Sequence, residues 1–210
     1  MLEMMRKNGL ILAVFALGCT ALVAVTHSLT RHTIVAQEQA QLLLVLNELL
    51  PPDSHDEPLF NHCALVASEH YLGSRDPLPA FTAVKNGEVR GHAIEAIAPD
   101  GYSGAIKLVV GVNADGRLSG VRVLAHNETP GLGDKIELKK SPWVLAFDGM
   151  ELIGEEDPRW AVRRDGGQFD AFTGATITPR AVVKAVRQVL LMLEQEPGLL
   201  SQAPRCGETL

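Results

Sequence analysis

The sequence predicts an α+β chain: an apolar N-terminal helix, then an antiparallel sheet with helices before and after it. Three observations predict it. Residues 9–26 (GLILAVFALGCTALVAVT) form an 18-residue run without a charge. Residues 81–125 alternate apolar runs with the turn signals Asn86-Gly87, Pro99-Asp100-Gly101 and Asn113-Ala114-Asp115-Gly116. Such local turns join neighbouring strands in antiparallel pairs. Near the C-terminus, Val182, Val186, Val189, Leu190 and Leu193 recur at helical spacing, so one helix face is apolar. Helices and strands in separate runs make the class α+β.

The uncharged run sits at the lower end of what spans a bilayer. Arg6 and Lys7 precede it, and Arg31 and His32 follow. That small asymmetry, with the short N-terminus, favours an inside amino end and export of everything after residue 30. A cleaved signal peptide calls for a shorter apolar core and an A-x-A site. A lipoprotein signal at Cys19 is disfavoured, because Leu17 stands one position late and the apolar run continues past the cysteine. An uncleaved anchor over residues 1–32 is therefore expected.

For the rest, 210 residues with 46% hydrophobic content suffice for one ordinary domain. A net charge of −6 argues against nucleic acid as a partner. Cys19, Cys63 and Cys206 form no CxxC, which argues against a zinc ribbon or iron–sulfur cluster. In an oxidising compartment Cys63 and Cys206 could pair; with no measure of their distance, two free thiols are the expectation.

Residues 33–50 read as a helix that Pro51-Pro52 stop. Residues 51–79, rich in proline and charge, read as irregular, so 33–79 is a helix plus connector. His62, Cys63 and His70 there match no familiar ligand spacing, and no metal site is expected. Strands are predicted over 81–84, 88–97, 105–112 and 117–125. Residues 126–135 leave the last strand as a loop. Gly131 and Gly133 do not make a dinucleotide fingerprint, because Ile136 occupies the third glycine position. The loop is either a structural turn or a ligand loop whose exposed backbone lets a flat ring sit close. In the second reading Glu128, Thr129, Gly131, Leu132 and Gly133 are its candidates. Ser141-Pro142-Trp143 is a plausible helix start, and Trp143 with Phe147 reads as core. Short strands are predicted over 161–163 and 168–172, joined by Asp165-Gly166-Gly167. Residues 196–210 read as a flexible tail.

Asp170-Ala171-Phe172-Thr173-Gly174-Ala175-Thr176-Ile177-Thr178-Pro179 sets three threonine hydroxyls and a glycine ahead of the last helix. Thr178 is a good N-cap and Pro179 suits the first helical position. Gly174 and Ala175 leave room for close approach to the backbone. The unpaired N–H groups and positive dipole end of the helix favour an anion, above all a phosphate. The competing reading is a polar strand-to-helix connection whose threonines only cap and turn.

The run from Asp170 to Thr176 resembles the D-x-x-[S/T]-G-A-T signature recognised by flavin transferases. Residues 126–137 (HNETPGLGDKIE), preceded by Gly101-Tyr102-Ser103-Gly104 and Val110-Gly111-Val112, are similar to the FMN-binding domain of the G subunit of the Rnf/Rsx electron-transport complex. That family is related to the C subunit of the sodium-pumping NADH:quinone oxidoreductase. The resemblance covers about residues 5–195. It implies an FMN-binding domain over 80–195, with FMN esterified through its phosphate to Thr176. Thr173, Gly174, Ala175, Asp170 and Thr178 surround the tether, and the Glu128–Gly133 loop walls the ring; Asp170 is expected to serve the transferase reaction. No catalytic residue is implied, and turnover by this chain alone is not expected. The implied partners are other subunits of a complex coupling ferredoxin, NAD and ion transport, a flavin transferase, and membrane lipid. The implied location is the bacterial inner membrane, single-pass, with the C-terminal domain periplasmic. The alternatives are the sodium-pumping complex and an anchored assembly module without cofactor.

Overall fold

The computed structural model describes residues 2–207, apart from the side chains at 2, 32, 35 and 36. The chain forms two compact units, Met1–Leu44 and Val45–Leu210. Helix α1 runs Leu2–Leu49 without a break. The helix expected over 33–50 is its continuation, ending at Leu49 just before Pro51-Pro52. No glycine or proline falls between Cys19 and Leu50 to interrupt it. Within the first unit, Glu3–Arg31 is a 29-residue candidate membrane span whose most apolar 18 residues have a mean hydropathy of 2.4, none of them buried. At 1.5 Å per residue it is about 44 Å long, more than the ~30 Å hydrocarbon core. The Thr26 and Thr30 hydroxyls donate to the carbonyls of Leu22 (2.8 Å) and Thr26 (2.9 Å), which satisfies them inside an apolar helix.

The second unit is built on a five-stranded antiparallel sheet in the order β1-β2-β3-β4-β5. Its strands are β1 (Cys63–Ser68), β2 (Ser74–Lys85), β3 (Glu88–Ala98), β4 (Ile106–Asn113) and β5 (Leu118–Ala125). Asn86 (φ 55°) and Gly87 (φ 78°) turn β2 into β3 with positive φ at both positions, the reason for an Asn-Gly pair there. The irregular connector expected over 51–79 is corrected: it contains β1, the one-turn helix α2 (Glu69–Leu72) and the first half of β2. The Ser68 hydroxyl caps α2 by accepting the Tyr71 N–H at 3.1 Å. Pro77 and Pro79 hid the strand. They are tolerated because β2 pairs β1 from Ser74 to Phe81 but meets β3 only from Ala80 onward, leaving that half one open edge.

Two further expectations are corrected at the C-terminus. Cys63 and Cys206 are not free thiols but a disulfide, with Cα atoms 5.3 Å apart. Residues 196–207 do not trail loosely either. They form a short helix α4 (Leu199–Gln202), then run along the open edge of β1. There the Leu65 N–H donates to the Pro204 carbonyl (2.7 Å) and the Cys206 N–H to the Cys63 carbonyl (3.0 Å). An edge strand offers such unpaired groups. Residues 208–210 of the predicted tail lie outside the described residues.

The sheet has two buried faces. One packs Ile94, Ala96, Leu108, Val110 and Val121 with Val182, Val186 and Val189 of helix α3 (Ile177–Gln195). On the other, Gly111 and Gly120 pair directly across β4 and β5. A Cβ on either would meet Leu49, at 2.9 Å for Gly111 and 3.0 Å for Gly120. The two glycines thus make a slot for the end of α1, where Leu46, Leu49 and Leu50 are buried. Arg122 clamps Glu48 beside it at 2.7 Å. Also on that face, burial pushes the Glu95 carboxyl above its ordinary range, opposed by the Lys107 ammonium 2.7 Å away.

Between β5 and α3 the chain is irregular but densely aromatic. Val162 and Phe169 share a single parallel bridge instead of the two short strands expected. Trp143, Phe147, Trp160, Phe169 and Phe172 form one cluster, with ring centroids from 4.4 to 6.3 Å apart. Trp143 and Phe147 are core residues, as their spacing suggested.

Candidate functional site

The aromatic cluster sets the threonine stretch in place. Phe172 packs edge-on to Trp143 at 5.2 Å, and the Trp143 indole N–H donates to the Asp170 carbonyl at 2.7 Å. From that anchor the chain turns over Phe172-Thr173-Gly174-Ala175, closed by the Ala175 N–H on the Phe172 carbonyl at 3.0 Å. Gly174 carries φ 82° at the third position, where a type II turn needs glycine. Helix α3 follows at once, with Thr176 as its N-cap. The expected cap, Thr178, is instead the second helical residue, and Pro179 the third. Thr178 cannot cap because its hydroxyl is engaged elsewhere. Pro179 is still harmless, since first-turn N–H groups have no partner within the helix.

The three threonines have three different fates. Thr173 is exposed. Thr178 is fully buried, and its hydroxyl donates to Glu128 Oε2 at 2.5 Å. Thr176 is half-buried and its side chain makes no cap hydrogen bond.

The loop after β5 is locked onto α3 by Glu128, a buried carboxylate. Its Oε1 accepts the Ser103 N–H at 3.0 Å while Oε2 takes the Thr178 hydroxyl. The Glu128 N–H donates to His126 Nδ1 (3.0 Å), which puts the ring proton on Nε2, and that donates to Glu137 Oε1 (2.7 Å). Gly133 packs inside this knot: a Cβ there would meet Glu128 Oε2 at 2.7 Å and Thr178 Oγ1 at 2.9 Å. Loop, 101–104 turn and helix start are therefore one hydrogen-bonded frame.

That frame surrounds a cavity of about 320 Å³. Its lining unites Glu128, Thr129, Leu132 and Gly133 from the loop with Gly174, Ala175, Thr176, Ile177 and Thr178 from the helix start, plus Tyr102. Thr173, Gly131 and Asp170 do not line it. The Asp170 carboxylate is exposed and pairs with Arg163 at 3.2 Å. Tyr102, Ser103, His126 and Glu137 were not singled out from the sequence, because nothing local in it says that a buried carboxylate 25 residues further on would seat the 101–104 turn. The Gly101–Gly104 run and the 126–137 run, which holds His126 and Glu137, were the available signals.

The walls suit a phosphorylated ring compound. The free N–H groups and dipole of a 19-residue helix meet at Thr176. The backbone at Gly174 carries no Cβ, and the rim is apolar, with Tyr102, Leu132 and Ile177 exposed. Among the described residues no group of metal-ligating side chains is present.

A family model described as the FMN-binding domain matches residues 101–191, the stretch that contains every residue of this cavity. A second, described as the RnfG N-terminal region, matches residues 1–49. The chain is 56% identical to the G subunit of the ion-translocating oxidoreductase complex of Vibrio atlanticus (strain LGP32), over 99% of both chains. It is 55% identical to that of Aliivibrio fischeri (strain MJ11), over 100% of both. With that of Shewanella piezotolerans (strain WP3 / JCM 13877) the identity is 50%, over 99% of this chain and 98% of the relative.

Proposed function

Because the chain belongs to the G-subunit family of ion-translocating oxidoreductase complexes and carries an FMN-binding domain, we propose that it is a membrane-anchored electron carrier holding FMN in a phosphoester to Thr176. The observation that carries the proposal is the contrast among the threonines. Thr178 is spent on Glu128, and Thr173 stands outside the cavity. Thr176 alone of the three both lines the cavity and, among the described residues, has a hydroxyl without a hydrogen-bond partner. In the ester the Thr176 oxygen would take the place of one substituent on the phosphorus of a flavin nucleotide, the hydroxyl proton leaving with the displaced group, and the phosphodiester would keep one negative charge. The Ile177 and Thr178 N–H groups would stabilise that charge at the positive end of α3. The flavin supplies the redox chemistry; the chain positions it and shapes its surroundings. Leu132, Ile177 and Tyr102 exclude water from one side, and the Glu128 frame keeps the loop from drifting relative to the tether. A tether also holds the carrier where free FMN is scarce, outside the cytoplasm.

The partners in this reading are the other subunits of the complex, a flavin transferase during maturation, and lipid around the 29-residue span. In the same reading the span is the single anchor of a bacterial inner-membrane protein whose residues 45–210 lie on the periplasmic side. The Cys63–Cys206 disulfide supports that side, since disulfides persist in oxidising compartments. Asp170, exposed beside the heptad, is available to the transferase and not to the bound ring.

The test is intact mass of the full chain produced with a flavin transferase. The expected result is one FMN adduct, lost completely in Thr176→Ala, whose thermal melt stays within about 0.5 kcal/mol of the native chain because a half-exposed side chain is trimmed. A native chain weighing no more than its polypeptide overturns the reading and leaves an anchored module without cofactor.

A further inference from the structure

We propose that Tyr102 is the platform on which the isoalloxazine ring lies, a positioning residue of the cavity; the proposal rests on the flavin reading above. Tyr102 is the one aromatic side chain among the residues lining the cavity, and it is 68% exposed. Among the described residues no aromatic ring packs on it and no hydrogen bond holds its hydroxyl, so the fold gains little from a large ring there. Its backbone, by contrast, is held tightly. The neighbouring Ser103 N–H is fixed to buried Glu128 at 3.0 Å. A Cβ at Gly101 would strike the Gly104 carbonyl oxygen and come within 2.9 Å of Glu128 Oε1. The turn therefore cannot move without unseating the carboxylate that also grips Thr178, two residues from the tether.

Tether and aromatic side chain thus share one frame, at a distance the fold itself sets. A flat, electron-poor ring attached at Thr176 meets three kinds of wall: the polar helix start, the aliphatic Leu132 and Ile177, and the Tyr102 phenol. Offset stacking on the phenol buries the largest ring area and is favoured by the complementary charge distributions of the two ring systems. An electron-rich phenol in contact with a flavin also quenches its fluorescence, which gives the contact a signature independent of activity.

The experiment compares the native chain with Tyr102→Leu and Tyr102→Phe, each produced with a flavin transferase and first weighed intact. All three are expected to carry the adduct. Tyr102→Leu is expected to lengthen the flavin fluorescence lifetime several-fold and weaken the visible circular dichroism of the flavin bands. Tyr102→Phe, which still stacks but is a poorer electron donor, is expected to keep the dichroism while the lifetime rises. An adduct-bearing Tyr102→Leu with native lifetime and dichroism overturns the platform while leaving the flavin reading intact. A native chain without adduct overturns the flavin reading itself. Should Tyr102→Leu take no flavin, Tyr102→Phe decides: a longer lifetime with native dichroism supports the platform, and native values of both overturn it.

Discussion

The two ends of α3 make an instructive pair. At its C-terminal end lies the larger cavity, about 910 Å³, walled by Leu190, Leu193 and Leu200 and by Thr82 and His92 of the sheet. At its N-terminal end lies the smaller one, about 320 Å³. Volume alone would favour the first. Chemistry favours the second, because unpaired N–H groups, a positive dipole end and an uncommitted hydroxyl converge there. The C-terminal end offers the opposite dipole sign. Its His92 ring is hydrogen-bonded to the Thr82 hydroxyl at 3.1 Å, and burial pushes its pKa down, which favours the neutral form. The disulfide-tied strap of residues 197–205 borders that cavity. One end is fastened and the other is built to receive; polar convergence, not size, separates them.

If that division holds, changes at the fastened end lower stability without touching flavin content. The largest expected effect is removal of the disulfide. The bridge spans 143 residues, and loop-closure entropy for such a span is worth up to about 5 kcal/mol. Cys63→Ser with Cys206→Ser is expected to lower the urea midpoint by a large fraction of its value while the intact mass still shows FMN. A parallel loss of adduct would break the comparison. Next comes Glu128→Leu at the receiving end, which leaves the Ser103 N–H and the buried Thr178 hydroxyl unpaired, at about 1–3 kcal/mol per group. Here the urea midpoint and the adduct are expected to fall together.

The smallest effect sharpens the electrostatic half of the contrast. Arg180, in the first turn of α3, brings positive charge near Thr176 and is held by exposed Asp165 through two hydrogen bonds. That contact keeps the Asp165 carboxyl below its ordinary range. A depressed carboxyl contributes stability that is present above its unfolded value near pH ~4 and is lost as pH falls through the folded one. Asp165→Asn is therefore expected to be slightly less stable than the native chain at pH 7 and low salt, with the gap closing toward pH 3. Urea midpoints at several pH values measure it; a gap that widens in acid would reverse the sign of the pairing.

Much of this molecule could be read along the chain because the features concerned are local. The uncharged run, the Asn86-Gly87 hairpin, the valine stripe of α3 and the crowd of threonines before it each depend on residues a few positions apart. The same locality misled where distant contacts decide. Pro77 and Pro79 spoke against a strand, yet β2 accommodates them on the half with an open edge. Thr178 looked like a cap until a carboxylate 50 residues earlier claimed its hydroxyl.

By itself, then, the sequence determined the apolar span, the meander of strands from Phe81 to Ala125 and the threonine-rich run that leads into the last helix. Tertiary structure alone decided that Cys63 meets Cys206, that Tyr102 shares a wall with Thr176, and which of three similar hydroxyls is left over. Turns and periodicities are energies of neighbours, whereas bond partners are allotted by packing, after the sheet has brought remote residues within reach.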